Sequence, residues 1–324
     1  MMQIGLIGLG AGAAAALLFA SVASGSLLSI MLFYVAPLPL LIAALGWSHW
    51  AAAIGALGAA AVLAAVFGGF YFLVFLAVVG VPAWWLGYLA MLGRPAQAHG
   101  HLQEQTSGHA AHAVEWYPSG RLVVWAAVLG AGIILVAIPN FGIDAESFRT
   151  GLRNALNQVL QIDGETRTVN LNALIDFMVS ALPPTAAILT TITNILNLYL
   201  AARIVHFSGR LQRPWPDLAA MDFPKPVALA LGAALVVTFA GGIVGVMAGV
   251  ISASLLMAFG VLGFAVLHTI TRGMGSRAAV LIGTYAAVLV FGWPILALCI
   301  LGVAETAVGV RGRLANRRGP PMRS

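Results

Sequence analysis

Charged side chains are absent from the first 93 residues of this chain, because no Asp, Glu, Lys or Arg precedes Arg94. A soluble domain needs charge on its outer surface to stay solvated and unassociated, which excludes a soluble domain here. A helix rises about 1.5 Å per residue and a bilayer core is about 30 Å thick, so this stretch has the length of roughly four crossings. The chain is therefore predicted to be an integral membrane protein from its first residues.

The rest of the chain is also poor in charge. Charged residues make up 8% and hydrophobic residues 61% of the sequence, whereas soluble proteins carry about 25% charged residues. Further charge-free runs separate Lys225 from Arg272 and Arg277 from Glu305. These runs are too long for barrel strands, and lipid otherwise admits only helices. The predicted fold class is an all-α, polytopic transmembrane helical bundle of about 8–10 membrane segments, several of them broken by Pro.

Cysteine and lysine are nearly missing as well. The single cysteine, Cys299, excludes an intramolecular disulfide and a CxxC metal or redox site. Lys225 is the only lysine, and this bias toward Arg, with many Ala and Gly residues, is typical of a GC-rich bacterial genome. The net charge of +6 comes from Arg residues in loops and at the C-terminus. That distribution indicates positive-inside anchoring in a bacterial inner membrane and gives no sign of nucleic-acid binding.

Nine apolar stretches are candidate membrane spans. Their approximate bounds are 4–23, 26–47, 50–67, 70–92, 121–139, 175–207, 227–247, 249–270 and 278–309. Proline interrupts four of them, at Pro37 with Pro39, at Pro82, at Pro183-Pro184 and at Pro294. Two interpretations stay open, namely ordinary kinks and irregular backbone that lines a cavity, as in transporters.

The loops predict the orientation of the helices. The Arg-rich segments 203–225, 272–277 and 310–324 are predicted to be cytoplasmic, together with both termini and the loop 93–120. Because 272–277 and 310–324 then share a side, the run 278–309 is predicted to fold back at Gly292-Trp293-Pro294. Each arm is shorter than the roughly 20 residues of a full span. One integral membrane domain, 1–324, is expected to contain all of these parts.

An external loop, 140–172, is predicted to contain an amphipathic helix. Phe148, Leu152, Leu156, Val159 and Leu160 recur at helical spacing, with polar residues on the other faces. Such a helix serves either as an interfacial anchor or as a lid over an external cavity.

Polar residues inside apolar spans are the candidate functional residues. Thr190, Thr193, Asn194 and Asn197 lie at i, i+3, i+4 and i+7, which places them on one helical face. Asn amides in hydrocarbon need partners, so the face either forms hydrogen bonds between helices or lines a substrate cavity. Glu305 is the only acid of the last apolar run and is either paired with an Arg near the interface or a proton or cation site.

Catalytic and metal-binding motifs are not expected. The loop 93–120 holds four histidines, whose side chains with Glu104 and Glu115 have the chemistry of zinc or nickel ligands, but Gly, Ala, Gln and Ser around them are typical of a flexible loop. The histidines are His99, His101, His109 and His112. No phosphate loop, nucleophile elbow or HExxH pair is present. We therefore predict no catalytic residue, no metal, no cofactor and no enzyme activity.

Two short motifs carry a resemblance to a known family. They are the break Ala36-Pro37-Leu38-Pro39-Leu40 and the ending Gly302-Val303-Ala304-Glu305, which Arg311 follows six residues after the acid. In these the chain resembles the YybS-like family of predicted bacterial membrane proteins, a domain of unknown function. The resemblance implies a multispan protein with an architecture similar to the substrate-binding S components of energy-coupling-factor transporters.

Two functional hypotheses follow. The first is a protein that binds or translocates a small solute, with Thr190, Asn194, Asn197 and Glu305 as substrate-binding residues and with partner membrane subunits. The second is a non-catalytic scaffold or assembly protein of the envelope. Broken helices and the polar face favour the first hypothesis, and small residues without a charged pathway favour the second.

Overall fold

The structure, a computed structural model, describes residues 2–95, 114–160 and 169–317. It is built almost entirely of helices, and seven helical stretches within these ranges are long and apolar enough to cross a membrane. Lys225–Thr238, Arg277–Phe291 and Ile295–Val308 are shorter apolar helices. The predicted all-α polytopic bundle is confirmed, and its contacts form two compact units.

The first unit comprises Met1–Leu122 and Leu196–Pro216. Its helices are α1 (Met2–Ala20), α2 (Leu27–Val35), α3 (Pro37–Gly46), α4 (His49–Phe67), α5 (Gly69–Phe75) and α6 (Val81–Ala90). A π-helical turn, Leu76–Gly80, joins α5 to α6, so that Pro82 falls in the first turn of α6, where no helical N–H is lost. Strands β1 (Gly93–Pro95) and β2 (Val114–Trp116) form a short antiparallel pair.

Helices α1 and α4 pack backbone to backbone in the first unit. Gly12 faces Gly55, and a Cβ on either residue would overlap the backbone of the other helix. Gly8 lies in the same way against Ala51. Both contacts join residues 43 positions apart, so the two helices run in the same direction. Small residues thus allow the close approach that stabilises helices in lipid.

The second unit comprises Val123–Ile195 and Asp217–Ser324. The helices that follow β2 in the chain are α7 (Ser119–Ala137), α8 (Ala145–Leu160), α9 (Val169–Phe207), α10 (Lys225–Thr238), α11 (Gly242–Ile270), α12 (Arg277–Phe291), α13 (Ile295–Val308) and α14 (Val310–Arg317). Helix α11 is the most buried of them, and its apolar side chains pack with Met221, Phe223 and Leu231. The boundary between the units lies within α9.

Two predictions about the helices are wrong. The spans 227–247 and 249–270 were expected to be of similar length, but α10 ends at Thr238 and α11 starts at Gly242, so α11 has 29 residues. The reason is local, since Gly241 and Gly242 have φ of 70° and 62°, a conformation that glycine adopts without strain. Pro183-Pro184 was expected to interrupt the sixth segment, yet α9 continues through it.

Helix α8 packs onto the second unit along its apolar face. Phe148, Leu152 and Leu156 are buried with Ile138 and residues of α9, as the spacing predicts, while Val159 and Leu160 are exposed. The Asp144 carboxylate accepts the N–H groups of Glu146 and Ser147 and so caps the helix. The hydrogen bond from the Ser147 hydroxyl, together with the bonds from these two N–H groups, lowers the pKa of Asp144.

The run 278–309 folds back as the charge distribution predicts. Helices α12 and α13 meet at Gly292, whose φ of 70° allows the sharp reversal, and at Pro294. Thr269, at the end of α11, and Arg311, after α13, both donate to the Ala219 carbonyl, so the two helices end at the same level. Because α13 has 14 residues against 29 in α11, the turn lies beside the middle of α11.

Candidate functional site

The polar residues of α9 bond to backbone carbonyls. The Thr190 hydroxyl donates to Ala186 of its own helix at 2.7 Å, as Thr hydroxyls do in membrane helices. The Asn194 amide donates to Ala126 of α7 at 3.3 Å, and the Asn197 amide donates to Tyr34 of α2 at 2.8 Å. Both Asn side chains are 2% exposed. The amides thus form hydrogen bonds between helices, which is one of the two interpretations that the sequence left open.

A neighbouring polar residue, Thr191, lies outside the pattern that the sequence analysis singled out. It is fully buried, and its hydroxyl donates to the Ala187 carbonyl at 2.8 Å and lies 3.2 Å from the Ser254 hydroxyl of α11. Gly130 of α7 lies directly against it, and a Cβ there would come within 2.5 Å of the Thr191 hydroxyl. Thr191 therefore lies where α7, α9 and α11 cross. Only the knowledge that Gly130 packs against α9 could have indicated this position in advance.

Glu305 forms an ion pair with Arg311 near the end of α13. Its carboxylate accepts the Arg311 Nε–H at 2.8 Å and the Arg311 backbone N–H at 2.9 Å, and the two side chains are 8% and 15% exposed. Gly309, with φ of 66°, ends α13 and turns the chain so that Arg311 reaches back. The pairing with Arg, one of the two alternatives for Glu305, is thus present.

Arg311 also holds a segment that is not helical. Its two terminal nitrogens donate to the carbonyls of Ala219 and Met221 at 2.8 and 2.9 Å. These residues belong to the connection between α9 and α10, whose backbone lacks the bonds of a long helix. Asp217 of the same connection pairs with Arg272 at 3.1 Å, and that hydrogen bond lowers the pKa of Asp217. Charged groups therefore satisfy irregular backbone where α11 and α13 end.

Ser252 of α11 is a buried hydroxyl that the sequence analysis did not single out. It is 4% exposed, and its Oγ has no hydrogen-bond partner among the described residues. Ser252 shares the face of α11 that carries Leu256 and Phe259, at spacings of four and seven residues. That face contacts α13, because the Cys299 thiol donates to the Leu256 carbonyl at 3.1 Å. The hydroxyl therefore lies near the level of the α12–α13 turn.

Metal ligands are not clustered in the part of the chain that the structure describes. No group of three or more His, Cys, Asp or Glu side chains there is placed to hold an ion. The loop histidines His99, His101, His109 and His112, with Glu104, lie outside the described residues. Of that candidate set the structure describes Glu115, which pairs with Arg94 at 2.9 Å.

The fold and these contacts define a multi-pass helical membrane protein. The polar residues predicted from the sequence have hydrogen-bond partners within the chain, whereas the Ser252 hydroxyl has none among the described residues. Comparisons of the chain with protein-family models, curated proteins and solved structures found no match.

Proposed function

We propose that this chain is a non-catalytic assembly protein of a bacterial inner membrane that associates with a second copy of itself through α12. The observation that carries the proposal is the hairpin of α12 and α13. None of the 15 side chains of α12 is buried, and the turn residue Trp293 is 69% exposed. Since the turn lies beside the middle of α11, irregular backbone is exposed where a membrane-embedded α11 would be surrounded by lipid.

Irregular backbone is not stable against lipid. Each unsatisfied backbone group in the hydrocarbon costs several kcal/mol, so such segments occur only where protein or a water-filled cavity covers them. At this turn Gly292 ends the helical conformation of α12, and Pro294 has no N–H to donate to a carbonyl of the helix end. Another protein surface over the turn would remove it from lipid.

The outer face of α12 has the chemistry of a helix-packing surface. Tyr285 stacks on Phe264 of α11, with ring centroids 4.7 Å apart, so this side of α12 faces its own chain. Ala279, Gly283 and Ala287 recur at every fourth position on the opposite side, and nothing lies within 4 Å of a Cβ added to Gly283. Small residues at this spacing let two membrane helices approach closely, and a two-fold axis would pair the face with itself.

Cysteine cross-linking tests the proposed contact. In a Cys299→Ala background, Gly283→Cys is expected to form a disulfide dimer under mild oxidation in membranes. Leu281→Cys, on the side of α12 that faces α11, is the matched control and should stay monomeric. Equal cross-linking of both variants would contradict the proposal.

Measuring the mass in detergent provides an independent test. The native protein should have the mass of two chains, and Gly283→Ile should have the mass of one because a branched side chain blocks close approach. Gly232→Ile, at an equally open glycine of α10, should remain a dimer. A native mass of one chain would contradict self-association.

A second candidate function is binding or translocation of a small solute, and the buried hydroxyl of Ser252 favours it. The sequence-based residues Thr190, Asn194, Asn197 and Glu305 belong to this hypothesis, as does the resemblance to S components, which implies partner subunits. Thermal-shift screening against vitamins, metals and lipid precursors tests it, since a ligand stabilises the state it binds. A ligand should raise the melting temperature of the native protein and not that of Ser252→Ala.

A further inference from the structure

Charge in the first unit is confined to one end. Among its described residues there are five Arg and one acid, Glu115, and contacts bring them together where α3, α6 and α9 end and α7 begins. The five are Arg94, Arg121, Arg203, Arg210 and Arg213. Arg213 donates to the Ala90 carbonyl at the end of α6 at 3.1 Å. The guanidinium of Arg210 lies 4.5 Å from the centre of the Trp47 ring.

Aromatic rings accompany these Arg side chains. Arg203 lies over the rings of Phe207 and Trp215, at 4.7 and 5.1 Å from their centres. Trp84 and Tyr88 stack in the last turns of α6. Trp and Tyr rings with Arg are typical of the membrane–water interface. This end of the first unit therefore has the chemistry of the headgroup layer.

A cavity of about 330 Å³ opens within this layer. Its walls come from the β1–β2 pair and the start of α7, and its lining residues are Leu92, Arg94, Glu115, Trp116, Tyr117, Pro118 and Arg121. The guanidinium of Arg94 is paired with Glu115, whereas the guanidinium of Arg121 has no hydrogen bond or ion pair to any described residue. The lining thus presents one uncompensated positive charge beside two aromatic rings.

We propose that this cavity binds the phosphate of an anionic phospholipid. Arg121 supplies the charge and Arg94 a second guanidinium, and guanidinium groups match phosphate oxygens in geometry. The aromatic rings of Trp116 and Tyr117 line the glycerol region, and Leu92, which is 39% exposed, leads to the apolar surface where acyl chains lie. Anionic lipid is the occupant that both the charge and the position at the interface favour.

Lipid titration of the purified full-length protein tests the proposal. In neutral detergent, vesicle-derived phosphatidylglycerol is expected to raise the melting temperature, while zwitterionic phosphatidylcholine is not. Arg121→Gln should weaken phosphatidylglycerol binding about tenfold, as the loss of one charge-assisted hydrogen bond predicts. Arg277→Gln, which removes an exposed Arg at the start of α12 where no such cavity is involved, is the matched control and should bind like the native protein.

Two results would overturn the assignment. Stabilisation by inorganic phosphate alone, equal to that by phosphatidylglycerol, would show a site for a free anion and not for a lipid. An equal loss of binding in Arg121→Gln and Arg277→Gln would show unspecific attraction to charge. Because the measurement concerns the first unit and α12 belongs to the second, neither result bears on self-association.

Discussion

At the residue scale, Glu305 and Arg311 show how charge is kept within an apolar unit. Removing two ions from water is costly, and an ion pair compensates for it only with good geometry and further hydrogen bonds. Here the carboxylate accepts two N–H groups, and the guanidinium satisfies two carbonyls of the segment between α9 and α10. The pair therefore fixes the position of a non-helical segment, whose carbonyls are not bonded within a long helix.

Glu305→Gln is expected to destabilise the protein. The substitution leaves the Arg311 charge buried without a counter-charge, and breaking a buried pair costs about 3–5 kcal/mol. The midpoint of thermal or denaturant unfolding in detergent measures the loss. Arg313→Gln removes an exposed Arg two residues from Arg311 and should change the midpoint little. A similar midpoint for Glu305→Gln and the native protein would contradict the structural role of the pair.

The amides of Asn194 and Asn197 show how far residue types alone can be interpreted. Their spacing predicts a shared polar face, because residues three positions apart are neighbours on the surface of a helix. It does not identify their partners, the carbonyls of Ala126 and Tyr34, which lie 68 and 163 residues away in the chain. The amides' hydrogen-bond partners could therefore be assigned only from the tertiary contacts.

At the scale of elements, glycine faces determine which helices approach closely. Gly12 and Gly55 join α1 to α4, and Gly302 of α13 lies against the Phe259 carbonyl of α11. An apolar side chain gains little free energy when it moves from lipid into a contact between helices. Close backbone packing therefore contributes more to helix association in lipid than apolar burial does.

Gly12→Ala is expected to destabilise the first unit. Its Cβ would overlap the Gly55 carbonyl oxygen, and overpacking of this kind costs about 1–3 kcal/mol. Gly10→Ala in the same helix is the control, since no atom lies within 4 Å of its Cβ. There Ala should be neutral or stabilise by up to about 1 kcal/mol through its higher helix propensity. The unfolding midpoint of Gly12→Ala should therefore be lower than that of Gly10→Ala. The reverse order would contradict the α1–α4 packing.

The prolines illustrate what sequence patterns can and cannot predict for an element. Pro294 follows Gly292, whose positive φ reverses the chain, so the expected break is present. Pro183 and Pro184 have no such glycine beside them, and α9 passes through both. Whether a helix tolerates lost hydrogen bonds depends on the neighbouring elements. The local sequence contains no information about those elements.

At the scale of the whole molecule, Arg distribution predicts orientation. Within the first unit, Gly8 at the start of α1 contacts Ala51 at the start of α4, at the end where Arg210 lies over Trp47. Within the second unit, Arg272 and Arg311 both contact the segment Asp217–Met221. If Arg-rich ends face the cytoplasm, both termini are predicted to be cytoplasmic.

Cysteine labelling tests this orientation. In a Cys299→Ala background, Asn154→Cys on α8 is expected to react with a membrane-impermeant maleimide added outside spheroplasts. Ser324→Cys at the tail should react only after the membrane is opened. Labelling of both positions from the same side would contradict the predicted topology.

The sequence by itself determined that this is a helical membrane protein, because long charge-free runs leave lipid as the only compatible solvent. It also predicted the fold-back near Pro294, because the Arg-rich segments on either side of 278–309 then lie on the same side of the membrane. Only the tertiary structure decided that Asn194 and Asn197 bond to the backbone of other helices, that Glu305 pairs with Arg311, and that no side chain of α12 is fully buried. Those outcomes depend on which distant carbonyl or helix lies within about 3 Å, a property of packing that periodicity and composition do not contain.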